Sequence, residues 1–483
     1  MTTRHDVPDT ASVLDPSLRE WVERLVGGRV LRARRMARWR PNYLIDVDTA
    51  AGEITLVLKG PRVPPAVEAR SRMLSAFGTR REAAALTTLR DTGVAVPSYH
   101  GYLPEAKVLL IGRVAGSGFL QSAPAADRVS LMRQYARQLA VTHSLRWSHL
   151  ESRHELEVTG TGPDRPGPLA AVLADYDVLR PKITRPDPLI DLAVWWLGRN
   201  APDAGETCLL HGDAGPNQFM FDGDRLTALL DWEVAHLGHP LSDLGYTRFR
   251  EALYPSGAFP EFVTEYAAAS GRAVDRAVVD YYTVAAGVLL LTGMSSDVHR
   301  PRVRNPEALQ HFWWDALARA GICQVLGESL GHPPLDLTPS PPHGGELSAL
   351  TSLLADRIEA TPVDNTGAPG GSAHTLLLAR TVLRASRLRP DARDGDDAAE
   401  LLGHRPADPR AQHAEITALV HEQAAHRLDD LVRYFSHQAV RRIDAVAPLA
   451  ATDTWDRATD EAPAADDARL HGRLLPGFPG DPT

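Results

Sequence analysis

The stretch Leu209-Leu210-His211-Gly212-Asp213-Ala214-Gly215-Pro216-Asn217-Gln218-Phe219-Met220-Phe221, continued by Leu229-Leu230-Asp231-Trp232-Glu233, decides how this chain is read. It sets two carboxylates, Asp213 and Asp231, eighteen positions apart, one in a Gly/Pro-containing loop and one at the end of an apolar run. Between them, Asp222-Gly223-Asp224-Arg225 has turn composition, and Gln218–Phe221 and Leu226–Leu230 read as short strands. A loop, a hairpin and a second acid predict that both carboxylates meet at one end of a small sheet. That pair suits phosphoryl transfer from a nucleotide, where one Asp orients an attacking hydroxyl and another holds a divalent ion.

His211-Gly212-Asp213 with the downstream Asp231-Trp232-Glu233 resembles the aminoglycoside and choline phosphotransferase family, relatives of the protein kinases, over roughly residues 20 to 330. The resemblance implies an α+β, bilobal kinase-like fold, a small β-rich lobe followed by a helical one. It places the catalytic residue at Asp213 and a magnesium ligand at Asp231. The family usually has Asn five positions after the catalytic Asp as a second metal ligand. Here that position is Gln218 and the asparagine is Asn217, so either amide is a candidate. By the same resemblance Lys59 reaches the α and β phosphates and Glu82 holds it, with ATP or GTP as donor and a small-molecule hydroxyl as acceptor.

Two features depart from the family pattern. A Gly- or Ser-rich turn is expected near residues 38–43, where this chain reads Arg38-Trp39-Arg40-Pro41-Asn42-Tyr43. Either Arg38, Arg40 or the Asn42 backbone contacts phosphate in its place, or these bulky residues narrow the pocket. The hinge gripping the base edge falls on Ile111-Gly112-Arg113-Val114, through the backbone of Gly112 and Val114. His239 stands where the family commonly has Asp. His236, His239 and Asp243 lie within eight positions, but no second cluster completes a metal site, and Asp243 reads as a helix cap or a brace for the catalytic loop. His211 reads as a brace too. These departures keep one alternative open: a degenerate kinase-like protein that binds a nucleotide or a partner without chemistry.

Composition narrows the classes. The net charge of −9 gives no electrostatic footprint for nucleic acid. Two cysteines, Cys208 and Cys323, are too few for a disulfide scaffold and have no metal-ligand spacing, which predicts a cytoplasmic setting. No uninterrupted apolar run of eighteen residues occurs, so no membrane association is expected. Abundant Ala and a preference for Arg over Lys suggest a high-GC bacterial genome.

Periodicity then partitions the chain. A nucleotide-binding lobe is predicted over 1–115, with strands near Val30–Ala37, Tyr43–Val47, Ile54–Leu58, Ser98–Leu103 and Val108–Arg113 and a helix over Arg80–Asp91. Helices dominate 116–332. The stretch 333–345, with five prolines and two glycines, reads as a linker. An all-helical accessory domain follows over 346–452, a candidate homodimer surface, and 453–483 reads as a loose tail.

Overall fold

The first sheet begins with three sequential strands. Here β1 (Gly28–Arg35), β2 (Asn42–Thr49) and β3 (Gly52–Lys59) alternate apolar and polar residues, and β4 (Tyr99–Leu103) and β5 (Val108–Gly112) complete an antiparallel sheet of order β1-β2-β3-β5-β4. The computed structural model describes residues 14–36, 41–61, 78–146, 172–173, 176–177, 179–183, 185–203, 205–299, 308–337, 353, 372–388, 390–453 and 474–481. The alternating Ile45/Val47, Leu56/Leu58 and Val108/Leu110 bury one face of the sheet against Val22 of helix α1 (Pro16–Val26). Asp15 caps that helix by accepting from the Ser17 N–H at 2.8 Å. Helix α2 (Thr79–Leu89) buries Glu82 along with its alanines, an early sign that this acid has a partner.

The chain divides into two compact units: Met1–Arg165, Gly205–Asp243 and Glu261–Ala273 form one, and Pro166–Ala204, Leu244–Pro260 and Val274–Thr483 form the other. The first contains the sheet, α1, α2 and helix α3 (Ala125–Ser144), together with the motif region. That region holds β6 (Cys208–Leu210), the hairpin β7 (Phe219–Asp222) and β8 (Arg225–Leu229), and β9 (His236–Gly238). The pairing of β6 with β9 is not legible in the sequence. Strands of three residues carry no readable alternation, and only the tertiary fold brings them together.

The second unit is helical. It comprises α4 (Pro188–Arg199), most of α5 (Leu241–Leu253), α7 (Arg276–His299), α8 (Ala308–Ser329), α9 (Ser372–Leu388), α10 (Pro390–Leu402) and α11 (Pro409–Val446); α6 (Phe259–Ser270) falls mostly in the first unit. By length and composition α7 could cross a membrane, yet 67% of its apolar window is buried inside the protein, which marks a core helix. Trp313 is buried in this core, and its neighbour Trp314 is partly buried against it. Helix α11 bends at Arg427, whose backbone leaves helical geometry, and Asp408 caps its start.

The tail expected to be loose is anchored over residues 474–481: Leu475 is fully buried, and Phe478 packs under the guanidinium groups of Arg248 and Arg276. Isolated apolar residues among Pro and Gly have no period to read, so this docking leaves no trace in the sequence pattern. Of the turn expected near residues 38–43, residues 38–40 lie outside the described residues, as do most of the linker and all of 346–371 but residue 353.

Candidate active site

Lys59 ends β3, and its ammonium is the hub of the site. Its Nζ lies 2.8 Å from Glu82 Oε1, 2.7 Å from Glu82 Oε2 and 2.6 Å from Asp231 Oδ1. The lysine and glutamate side chains are 7% and 2% exposed, whereas the Asp231 side chain is 50% exposed. Burial pushes the Glu82 carboxyl up, and Asp231 and Glu233 push the same way against the pull of Lys59. Three residues separated by up to 172 positions therefore meet at one cation.

Asp231 adopts a left-handed conformation, φ 58° and ψ 50°, at the start of the 3-10 turn Trp232–Val234. Few non-glycine residues adopt that conformation, and Asp is among those that do so most readily. The same backbone conformation ends the apolar strand that precedes Asp231. Trp232 is fully buried and lies against the His211 ring, centroids 4.6 Å apart.

Asp213 follows β6. Its carboxylate accepts a short hydrogen bond from Gln218 Nε2. Because a carboxylate needs a donor, this contact fixes the orientation of the Gln218 amide. The Gln218 Oε1 then has no hydrogen-bond partner among the described residues, although the residue is 4% exposed. Asn217 differs. Its Oδ1 accepts from the Leu120 N–H at 2.8 Å, and its Nδ2 is buried without a partner. Of the two amides, only Gln218 presents an uncommitted oxygen. Gln218 also ties the two acids together, because its carbonyl accepts from the Leu230 N–H at 2.8 Å, one residue before Asp231.

The loop between them is held from behind. Asp243, in the first turn of α5, accepts from the His211 N–H at 2.7 Å, the Gly212 N–H at 2.9 Å and His143 Nε2 at 3.1 Å. Burial would raise its carboxyl, but these donors outweigh burial and hold it below the usual carboxylate value. The other nitrogen of His143 pairs with the Tyr266 hydroxyl at 2.8 Å, which fixes the ring. His211 Nε2 reaches the Leu230 carbonyl at 2.7 Å, and burial lowers its imidazole, so it braces the loop as a neutral ring. The sequence identifies Asp243 and His211 as braces; His143 and Tyr266 carry no motif and escape it.

Asn42 lies directly across from Lys59 in the β2–β3 ladder. Its carbonyl accepts from the Met36 N–H at 2.8 Å, and its Oδ1 is buried without a partner. Gly112 donates its N–H to the Ser98 carbonyl at 2.8 Å, whereas the Val114 N–H has no partner among the described residues. His236 and His239 do not join Asp243. Their Nδ1 atoms contact the Val234 carbonyl and the Leu241 N–H, and no metal-holding His/Cys/Asp/Glu group occurs among the described residues. The Asp231 carboxylate and the Gln218 amide carry oxygens of the type that a hard cation takes.

Macrolide 2'-phosphotransferase MphH from Brachybacterium faecium is 21% identical, with 59% of this chain and 95% of that chain covered and a TM-score of 0.42. A thermostable mutant of aminoglycoside phosphotransferase APH(4)-Ia, in ternary complex with ADP and hygromycin B, is 16% identical over 64% and 97% of the two chains, TM-score 0.45. Among curated proteins, acyl-CoA dehydrogenase family member 11 of Rattus norvegicus is 45% identical over 62 residues, which are 12% of this chain and 8% of that relative. Acyl-CoA dehydrogenase family member 10 of Mus musculus is 32% identical over 75 residues, 15% and 7%. The chain thus matches under a tenth of the length of these relatives. Residues 39–282, about half the chain, match the model of the phosphotransferase enzyme family, and the chain belongs to that family.

Proposed function

We propose that this protein is an ATP- and magnesium-dependent phosphotransferase that moves the γ-phosphate to a hydroxyl of a small molecule, with Asp213 as the acid/base group. The observation that carries this reading is the Lys59 ammonium, buried against Glu82 and bonded to Asp231. An ammonium point charge held in this way is placed for phosphate oxygens. The Val114 N–H is available to a purine edge, with ATP and GTP both compatible. Asp231 and the Gln218 Oε1 would hold magnesium, and Asn217 would not, since its oxygen is committed to Leu120. Magnesium, when bound, neutralises charge on the phosphate oxygens.

Asp213 would hydrogen-bond the acceptor hydroxyl and take its proton as the new O–P bond forms and the bond to the β-phosphate breaks. The transition state is loose, so orientation contributes more than basicity. Gln218 Nε2 sets the Asp213 carboxylate before substrate arrives. The similarity to acyl-CoA dehydrogenase family members favours an acceptor hydroxyl carried on an acyl thioester over one on an antibiotic.

Thermal melting with ATP, with and without magnesium, together with slow ATP hydrolysis, tests the reading. Magnesium-dependent stabilisation and hydrolysis abolished by Asp213→Ala support it. Nucleotide stabilisation indifferent to magnesium, with no hydrolysis in the wild type, would instead indicate a binding protein without chemistry. Mass spectrometry on a panel of hydroxyacyl thioesters and aminoglycosides then identifies the acceptor.

A further inference from the structure

The second unit contains a cavity of about 480 Å³ between the C-terminal half of α8, the loop His332–Asp336, the start of α10 and one face of α11. Its volume lies in the range of small-molecule sites, roughly 300–1,000 Å³. Every lining residue lies beyond residue 282, outside the stretch matched to the family, so the cavity is not the phosphotransfer site.

Its chemistry is two-sided. Cys323, Leu335, Pro334 and Val440 contribute apolar surface. Burial pushes the Cys323 thiol up to about 12, and its hydrogen bond with Ser436 offsets this only in part, so the thiol carries no charge. The charged side of the lining holds Arg393, Arg433 and Arg441 with His332, His437 and the acid Asp336. Just outside it, Asp429 pairs with His332 and Arg433, and Asp397 with His437 and Arg441. Arg433, Ser436, His437, Val440 and Arg441 recur at three- and four-residue spacing, which puts them on one stripe of α11.

The two arginines of that stripe retain donors. Arg433 gives Nε to Asp429 at 2.7 Å, and its two Nη groups have no partner among the described residues. Arg441 bonds Asp394 and Asp397 through Nε and Nη2, which leaves Nη1. The Arg433–Asp429 pair is solvent-screened, with side chains 64% and 50% exposed, so an incoming anion can compete for it. A guanidinium fork of this kind recognises carboxylate or phosphate in preference to a neutral group.

We propose that this cavity binds a small amphipathic anion, a phosphate or carboxylate head on a short apolar body, with Arg433 and Arg441 on the head and Val440 and Leu335 against the body. Isothermal titration of the full chain at low ionic strength tests it with hexyl phosphate, hexanoate, hexanol and inorganic phosphate. An anionic head should bind about tenfold more tightly than hexanol, the effect of one charged hydrogen bond, and the tighter of the two heads identifies the ligand class. Inorganic phosphate, lacking the body, should be weaker than hexyl phosphate. Arg433→Gln, on an exposed side chain, should lower affinity for the anions about tenfold with hexanol affinity and melting temperature unchanged. Arg441→Lys retains a charge for Asp394 and Asp397 and should weaken the anions as well. The proposal is overturned if hexanol binds as well as the anions, if no anion binds, if Arg433→Gln changes nothing, or if Asp231→Asn rather than Arg433→Gln removes binding.

Discussion

Under the proposed function Asp213 and Lys59 have separable roles that substitutions at and beside them should expose. Asp213→Asn keeps the volume and the contact with Gln218 but removes the proposed base. Phosphate transfer is expected to fall roughly 10²–10⁴-fold with the nucleotide KM little changed, measured by a coupled ADP assay. An equal rise in KM would instead assign Asp213 to binding. Glu82→Ala removes one partner of a buried pair and leaves an ammonium 7% exposed. Loss on the order of 3 kcal/mol is expected in urea unfolding, an upper figure because Asp231 still faces the charge. Lys59→Met with Glu82→Leu, replacing the pair by apolar groups, should recover much of that stability without recovering activity. If the double variant is no more stable than Glu82→Ala, the pair is not the source of the loss.

At the scale of the element, the loop from His211 to Gln218 depends on what lies behind it. Gly212 has φ 83°, and a Cβ there would sit 2.3 Å from the Val234 carbonyl oxygen. Gly212→Ala should therefore abolish activity and lower the melting temperature, since the backbone leading into β9 has to move. Retention of wild-type activity would show that the loop is slack. Acid should loosen the same element. Burial lowers the His211 imidazole below its ordinary 6.5, so the folded state holds it neutral where the unfolded chain takes up a proton. Stability then falls as pH drops from about 6.5 toward the lowered folded value. The depressed Asp243 carboxyl adds a further loss only below about pH 3.8. Glu82, whose carboxyl burial raises, works in the opposite direction, so the share of His211 is the difference between wild type and His211→Gln in melts from pH 8 to 5. Parallel curves would remove His211 from the account.

At the scale of the molecule, the second unit is closed by its own C-terminal residues. Arg248 is buried between Asp280 and Glu328 and donates to the Pro476 carbonyl at 3.1 Å, while Arg276 bonds Asp481 at 3.0 Å. Phe478 covers both guanidinium groups. Phe478→Ala should destabilise the protein by about 3 kcal/mol, the lower end for a buried aromatic, as read from a chemical melt. A change under about 0.5 kcal/mol, typical of surface positions, would mean that the tail does not contribute.

The sequence by itself determined the five strands of the first sheet, the hairpin between the two acids, and Lys59, Glu82, Asp213 and Asp231 as candidates. Local periodicity and the motif are properties of neighbouring residues, legible without the fold. Tertiary structure alone decided which amide offers its oxygen, because Leu120 lies 97 positions from the Asn217 that it occupies. It alone brought His143 and Tyr266 to Asp243, paired β6 with β9, and docked Phe478, since each depends on groups far apart in the chain and has no local period. What a linear string encodes is its local pattern; which buried polar atom finds a partner is settled only when distant segments exclude water together.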